Sequence, residues 1–322
     1  MDKRDLQLEI AQLIGQPINT QLPVPVELAL IADTGTAEAG EHVWKYEALD
    51  DTPDVILAVD GAGRITVKEV SPLGDVEITF SGLNSKMEYV LIDAVLSSPD
   101  TDILSRRRES ITRGMDKTEI KTILDAIVAP LSAGDPRFPA ELCEEITLET
   151  TEDLYDLIVK MKHAVEDYGD GYVLLCGSAV KEAIDNYDKA INAGNVGGIS
   201  LPAKLKELGI NVVKVFGKVS NDESAESEVA LLDTNKMILV AMNSRLAQGK
   251  PISFIRRKIA PAVAQLMGAN VDTAQRALVV GGTPVLVEGA NTLAYSVYGY
   301  ESVVFAITNP KAIKFADASD VV

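Results

Sequence analysis

Few residues in this chain are equipped for chemistry. His42 and His163 are its only histidines, the side chains most often used as a base near neutral pH. Neither belongs to a spacing such as HExxH that would set two imidazoles on one metal ion. His42 precedes a strand-like stretch and His163 sits beside Lys160 and Lys162, so surface or packing roles are the simpler reading. The two cysteines, Cys143 and Cys176, form no CxxC and no disulfide framework, which suits a reducing compartment. Cys176 closes the apolar run Tyr172 to Cys176 and reads as a small buried residue. Ser178 follows at a strand-to-helix turn, where a hydrolase nucleophile would stand. A nucleophile elbow needs small residues two positions to either side, and here they are Cys176 and Val180. Ser178 therefore reads as a helix cap.

Phosphate chemistry fares no better. Gly194-Asn195-Val196-Gly197-Gly198 follows a helix and lacks the Gly-Lys-Ser/Thr ending of a phosphate loop, so it reads as a loop at a subunit contact. Gly281-Gly282-Thr283 reads as the turn of a hairpin spanning 278–287. Arg106, Arg107, Arg108 and Arg113 are the one basic concentration and could touch phosphates. Asp100, Asp102, Glu109 and Asp116 surround them, so ion pairing within, between or across subunits competes with that reading. No catalytic residue, cofactor or metal is expected.

The chain has 322 residues, enough for one large domain or two modest ones. Its 30 basic against 48 acidic residues give a net charge of -18, which argues against binding nucleic acid by overall attraction. No apolar run has membrane-spanning length, and Met1-Asp2-Lys3-Arg4-Asp5 is too charged to open a secretory signal. A soluble intracellular protein without membrane association is expected.

The elements that would position these residues begin with a tail. Pro23 and Pro25 force an extended path, and Val24, Val26, Leu28, Leu30 and Ile31 make it apolar. Such a tail lies either along a partner or on the edge of its own sheet. Asp33-Thr34-Gly35-Thr36 reads as flexible and leads into an arm. Its strand-like stretches are Val43 to Glu47, Asp54 to Val59, Arg64 to Val70, and the alternating Val76, Ile78 and Phe80, with a turn at Asp60-Gly61-Ala62-Gly63. A ribbon this small is marginal in water and needs a surface to lie on. Lys86 to Leu96 reads as helix, so that surface is assigned to another subunit. Residues 102–129 form either one long helix bent at Gly114 or two in line. The second would open at Asp116-Lys117-Thr118-Glu119, which has the form of a capping box. The Pro- and Gly-rich stretch 130–149 marks the internal boundary. Beyond it, helices and strands alternate: a helix capped by Thr150 or Thr151 with Leu154, Leu157, Ile158, Met161 and Val165 on one stripe, a strand at Tyr172 to Cys176, and a helix to Ile191. A short helix near Leu201 to Leu208 and strands at 211–216, 228–232 and 237–240 follow. Glu301 to Ile307 is a strongly apolar strand, with Ala312 to Phe315 after Asn309-Pro310.

This order of parts resembles the α+β Hong Kong 97 fold of tailed-bacteriophage major capsid proteins. Asp33 to Tyr46 is similar to the opening of that family's extended loop, and Ser110 to Asp116 to its long spine helix. Tyr172 to Tyr187 with Leu208 to Val213 resembles its axial domain, and Ser302 to Lys314 its returning strand. The resemblance implies an N-terminal arm at 1–40, a β-ribbon loop at 41–82 and a peripheral domain with the spine helix at 83–145. It also implies a mixed α/β axial domain at 146–300 and a return strand at 301–322. It implies a non-enzymatic subunit that self-assembles through hexamers and pentamers into an icosahedral shell, enclosing double-stranded DNA without sequence-specific binding. A separate scaffolding protein, a portal and a maturation protease would be its partners, with assembly in the host cytoplasm and residence in the virion. The inter-subunit contacts expected are Trp44, Tyr46, Asp60, Gly61, Gly63, Arg64, Arg106, Arg107, Arg108 and Arg113. The chain reaches the tail-like region at once, so the resemblance implies either a separately encoded scaffold or removal of a preceding segment; no lysine–asparagine crosslink can be matched, so none is expected. An encapsulin-like cellular compartment is the nearest alternative. An α/β nucleotide-dependent enzyme built on 150–300 is the more distant one, and it would need the phosphate loop or acid–base constellation that the sequence does not offer.

Overall fold

Leu28 and Ile31 share a face of the short helix α1 (Val26–Ile31), and both are buried. The computed structural model describes residues 26–47, 75–84, 88–91, 102–128, 143–147, 153–191, 200–220, 228–244, 249–260, 275–280, 285–287 and 292–320. The chain passes from α1 straight into β1 (Ala32–Ala37) and then into β2 (Val43–Glu47), β3 (Asp75–Thr79), β4 (Ser81–Asn84) and β5 (Glu88–Leu91). Helix α2 (Asp102–Val128) is 27 residues long. The second half holds β6 (Glu144–Glu145), α3 (Leu154–Glu166), β7 (Gly169–Cys176), α4 (Ser178–Ile191), α5 (Leu201–Glu207), β8 (Ile210–Lys214), β9 (Lys218–Ser220), β10 (Glu228–Ala230) and β11 (Lys236–Ser244). It closes with β12 (Ile252–Arg257), β13 (Arg276–Val280), β14 (Val285–Val287), β15 (Thr292–Ile307), a 3-10 turn at Pro310–Ala312 and β16 (Ile313–Asp317).

Two sheets carry the molecule. The smaller has five strands in the order β6-β16-β11-β7-β8. Met237 to Ala241 of β11 are all fully buried, as expected of a central strand covered on both faces. Its alternating residues feed two cores. Met237, Leu239 and Ala241 meet Leu157, Ile158 and Met161 of α3, while Ile238 and Val240 meet Ile120, Ile123, Leu124 and Ile127 of α2. The other flank of α2 lies against Ile252, Phe254, Val303 and Phe305 of the larger, seven-stranded sheet. The long helix is therefore the shared core element between the two sheets.

Strand β15, 16 residues long, organises the larger sheet. β12, β13 and β14 pair with it antiparallel at 302–307, 297–301 and 292–294. β4 and β5 also pair with it antiparallel, at 300–303 and 294–297. Ser302 pairs with both Arg257 and Gly82, so β4 and β12 occupy opposite edges of β15. β1 adds a parallel strand outside β12.

Several expectations are corrected by these pairings. Asp33 to Thr36 is not flexible but part of β1, its backbone in register with Ser253 to Arg256. The stretch read as a helix over 86–96 contains strand β5, because pairing with β15 over Val297 to Ala294 outweighs a helical spacing only a few residues long. Residues 278–287 are not a hairpin: β13 and β14 pair with β15 rather than with each other. Between the two readings of 102–129, one continuous helix is found, and Asp116 and Glu119 lie in its middle rather than at a cap. The cap of α3 is Asp153, in a reciprocal box with Asp156, not Thr150 or Thr151. β12 and β13 join the larger sheet and β16 joins the smaller.

Candidate assembly surface

The ribbon begins as a two-stranded pair, β2 with β3, in which Trp44 faces Ile78 and Tyr46 faces Val76. Residues two apart on a strand share a face, and the Trp44 and Tyr46 rings stack with centroids 5.4 Å apart. On that face Tyr46 and Ile78 are buried against Val304 and Ala306 of β15, with Trp44, Val76, Phe80 and Ile255 packed around them. The other face is wet, and Lys45 pairs there with Glu77 directly across the strands. Arg257 braces the root: its guanidinium lies 5.3 Å from the Phe80 ring centroid and its Nη1 donates to the Glu41 carbonyl at 3.0 Å. This corrects the assignment of the whole ribbon to a neighbour. Its root lies on its own chain, and Tyr46 is buried there rather than free for another subunit. The supporting residues stand more than 170 positions away, beyond any local pattern. Asp60, Gly61, Gly63 and Arg64 lie outside the described residues.

The described part of the tail is not extended: Val26–Ile31 is helix α1, and the edge of the larger sheet is taken by β1 directly after it. Asp33 accepts a hydrogen bond from the Lys250 backbone N–H at 2.7 Å, and Lys250 Nζ donates to the carbonyls of Ala29 and Ala32. Lys258 pairs with Glu38 at 2.6 Å, and Gln275 donates to Thr36 at 2.9 Å.

Arg113, the described member of the basic concentration, is exposed and donates to Glu109 at 3.1 Å, one helical turn away. Arg106, Arg107 and Arg108 lie on α2, with side chains outside the described residues. The consequential arginines are two that the sequence reading missed. Arg256 of β12 and Arg276 of β13 are buried against α2. Arg256 donates to both oxygens of Glu119, from Nε at 2.8 Å and Nη2 at 2.6 Å. Arg276 donates from Nε to Glu301 at 2.6 Å, from Nη1 to Asp116 at 2.8 Å and to the Thr112 carbonyl at 3.3 Å, and from Nη2 to Glu119 at 3.3 Å. Burial works against the charge on Arg276, but Glu301, Glu119 and Asp116 outweigh it and hold the guanidinium above its ordinary value. The cluster pins one helix to three strands. Close approach is permitted nearby by Gly299, where a Cβ would collide with Met115 and Ile111. One signal was available in sequence: Asp116 and Glu119 share a helix face with the apolar Ile120 and Ile123, where solvated carboxylates have no place.

The candidate chemical groups are placed as follows. Burial pushes the Cys143 thiol up to about 12 and the Cys176 thiol up to about 11, so both remain protonated at neutral pH. His163 is exposed and pairs with Glu166 at 2.9 Å, and His42 is exposed beside Arg257 Nη1 at 3.4 Å. Lys181 N–H donates to the Gly177 carbonyl at 3.1 Å, so Gly177 holds the cap position of α4 and Ser178 is the first helical residue instead. A Cβ at Gly177 would collide with the backbone of Asp233 and Thr234, which gives that glycine a packing reason. Among the described residues no group of three or more His, Cys, Asp or Glu side chains could hold a metal ion, and no helix is long and apolar enough to cross a membrane.

No family model and no curated protein matches the sequence. Solved structures do match the fold. A virus-like particle from Pyrococcus furiosus is 14% identical with a TM-score of 0.50, over 98% of this chain and 100% of that one. The capsid of an empty GTA particle is 12% identical with a TM-score of 0.53, over 94% and 92%. The holo-SrpI encapsulin complex from Synechococcus elongatus PCC 7942 is 13% identical with a TM-score of 0.51, over 99% and 95%. The chain has the α+β Hong Kong 97-like capsid fold.

Proposed function

We propose that this chain is a non-enzymatic shell subunit, copies of which close into an icosahedral particle enclosing the double-stranded DNA of a virus or prophage. The observation that carries the reading is the extent of the fold match, which spans 92% to 100% of the three solved shell chains. An isolated catalytic or binding module would share only a part. In this reading the ribbon loop at 41–82 is rooted on its own sheet and reaches over the next copy through Asp60, Gly61, Gly63 and Arg64. Trp44 at the root and Arg106, Arg107, Arg108 and Arg113 along the spine helix contribute further contacts. Residues 146–300 converge at the hexamer and pentamer axes, and 301–322 bring the chain back. Such contacts are heterologous and ring-closing, so each copy offers the next an equivalent site. A scaffolding protein, a portal and a protease would complete assembly in the host cytoplasm. The acidic chain would contain DNA without adhering to it.

A compartment shell that packages protein is the second reading, supported by the match to the encapsulin complex. Negative-stain microscopy of the expressed chain, alone and with its genomic neighbours, tests both. Closed shells holding nuclease-protected DNA are expected. Closed shells filled with protein would favour the second reading, and small oligomers under all assembly conditions with turnover of a nucleotide would overturn both.

A further inference from the structure

Glu301 is the misfit of the arginine cluster. Its Oε2 accepts from Arg276 at 2.6 Å, while Oε1 is buried without a hydrogen-bond partner. Glu119 by contrast accepts three hydrogen bonds, from Arg256 Nε, Arg256 Nη2 and Arg276 Nη2, which leaves a carboxylate room for one more. Two guanidinium charges face three carboxylates, Asp116, Glu119 and Glu301, so the fully ionised cluster holds one uncompensated negative charge. Among the described residues no neighbouring element supplies the missing cation. β4 sets Leu83 opposite Glu301, β13 sets Arg276 opposite it, and α2 commits Arg113 to Glu109 on its exposed side. Buried uncompensated charge is among the costliest features a fold can carry. A single proton removes the excess charge and also turns the orphaned acceptor into a donor with a carboxylate beside it.

We propose that the cluster is a proton-binding clamp, in which Glu301 is held protonated and donates from Oε1 to Glu119, and in which loss of that proton to solvent weakens the grip of α2 on the larger sheet. Asp116, partly exposed, places the rim of the cluster at the solvent boundary. Burial first, and the charge of Glu119 second, push Glu301 up to about 7 against the pull of Arg276. A carboxyl raised in this way stabilises fully below its unfolded value of 4.5, and that contribution is lost as pH rises through about 7.

The test is denaturant unfolding of the full chain between about pH 5 and about pH 8, where the unfolding constant should rise on the order of a hundredfold from this group. Glu301→Gln keeps an acceptor for Arg276 and a donor for Glu119, so it should flatten the dependence to within about threefold. A variant with the wild-type dependence, or a wild type with none, overturns the proposal. Should Glu301→Gln fail to fold, carboxyl-carbon NMR of the wild type decides. One glutamate titrating near neutrality upholds the clamp, and every glutamate titrating in the ordinary acid range refutes it.

Discussion

Helix α3 meets the smaller sheet through Leu154, Leu157, Ile158, Met161 and Val165, all buried among Leu174, Leu239 and Ala316. Helix α2 meets the larger sheet partly through apolar residues, but also through Asp116 and Glu119 on Arg256 and Arg276. The first contact is non-directional and indifferent to pH. The second is directional, since a guanidinium fork accepts its carboxylates in one geometry only. The larger sheet also carries the ribbon root and the N-terminal edge strand, so the region most dependent on exact geometry is the one on which that root lies. Buried ion pairs are weak evidence for stability and better candidates for specifying one arrangement. Here they fix where a long helix sits against the strands that carry the arm.

The sharpest way to break this comparison is to remove one guanidinium. Arg276→Ala leaves Glu301 and Asp116 buried or half-buried without their partner and should cost about 3–5 kcal/mol at neutral pH. Denaturant unfolding reads this directly, and a loss under about 1 kcal/mol would show that the cluster does not hold the helix. The matching change in the apolar contact is Ile158→Ala, which removes a fully buried side chain and should cost about 3 kcal/mol. Its effect should be the same at acid and neutral pH. A pH-dependent loss there would erase the distinction between the two contacts.

The same division explains what was legible in sequence. The centre of the smaller sheet, β11-β7-β8, is drawn from the single stretch 169–244, and the stripe on α3 and the strand ending at Cys176 could be read directly from their apolar runs. The larger sheet collects 32–37, 81–91 and 252–307, and its first three strands, β1, β4 and β5, are decided by partners about 200 residues away. Glu88 to Leu91 looked helical because only β15 makes it a strand. Asp116 and Glu119 looked like a cap because the spacing that suits a capping box also puts two carboxylates on one helix face. Their arginines follow about 140 and 160 positions later, a separation no local spacing reports. Of the expected subunit contacts, the root of the ribbon was legible as strands, but not the surface beneath it. Tyr46 alternates correctly, yet nothing near it announces Val304 and Ala306.

A smaller effect sharpens the comparison from the apolar side. Burial alone would push Asp153 up, but hydrogen bonds from the Tyr187 hydroxyl and from the Asp156 and Tyr155 backbone, with the Lys204 charge, hold it below the usual carboxylate range. That contribution is present above the unfolded value of 3.8 and is lost as pH falls through the depressed folded value. Tyr187→Phe should therefore cost about 0.5–1 kcal/mol at neutral pH, shrinking in acid, since the partly exposed pair is screened by water. Thermal melts at neutral pH and near pH 3 check it. An undiminished cost in acid would assign the loss to packing of the ring instead.

The central claim is that the arm is rooted in one copy and completed by another. Deleting residues 56–68 tests it most directly, since the paired root at 43–47 and 75–79 is left in place. The expected result is a subunit whose unfolding free energy stays within about 1 kcal/mol of the parent and which no longer forms shells under the microscope. Normal closed shells from the deleted chain would contradict the claim.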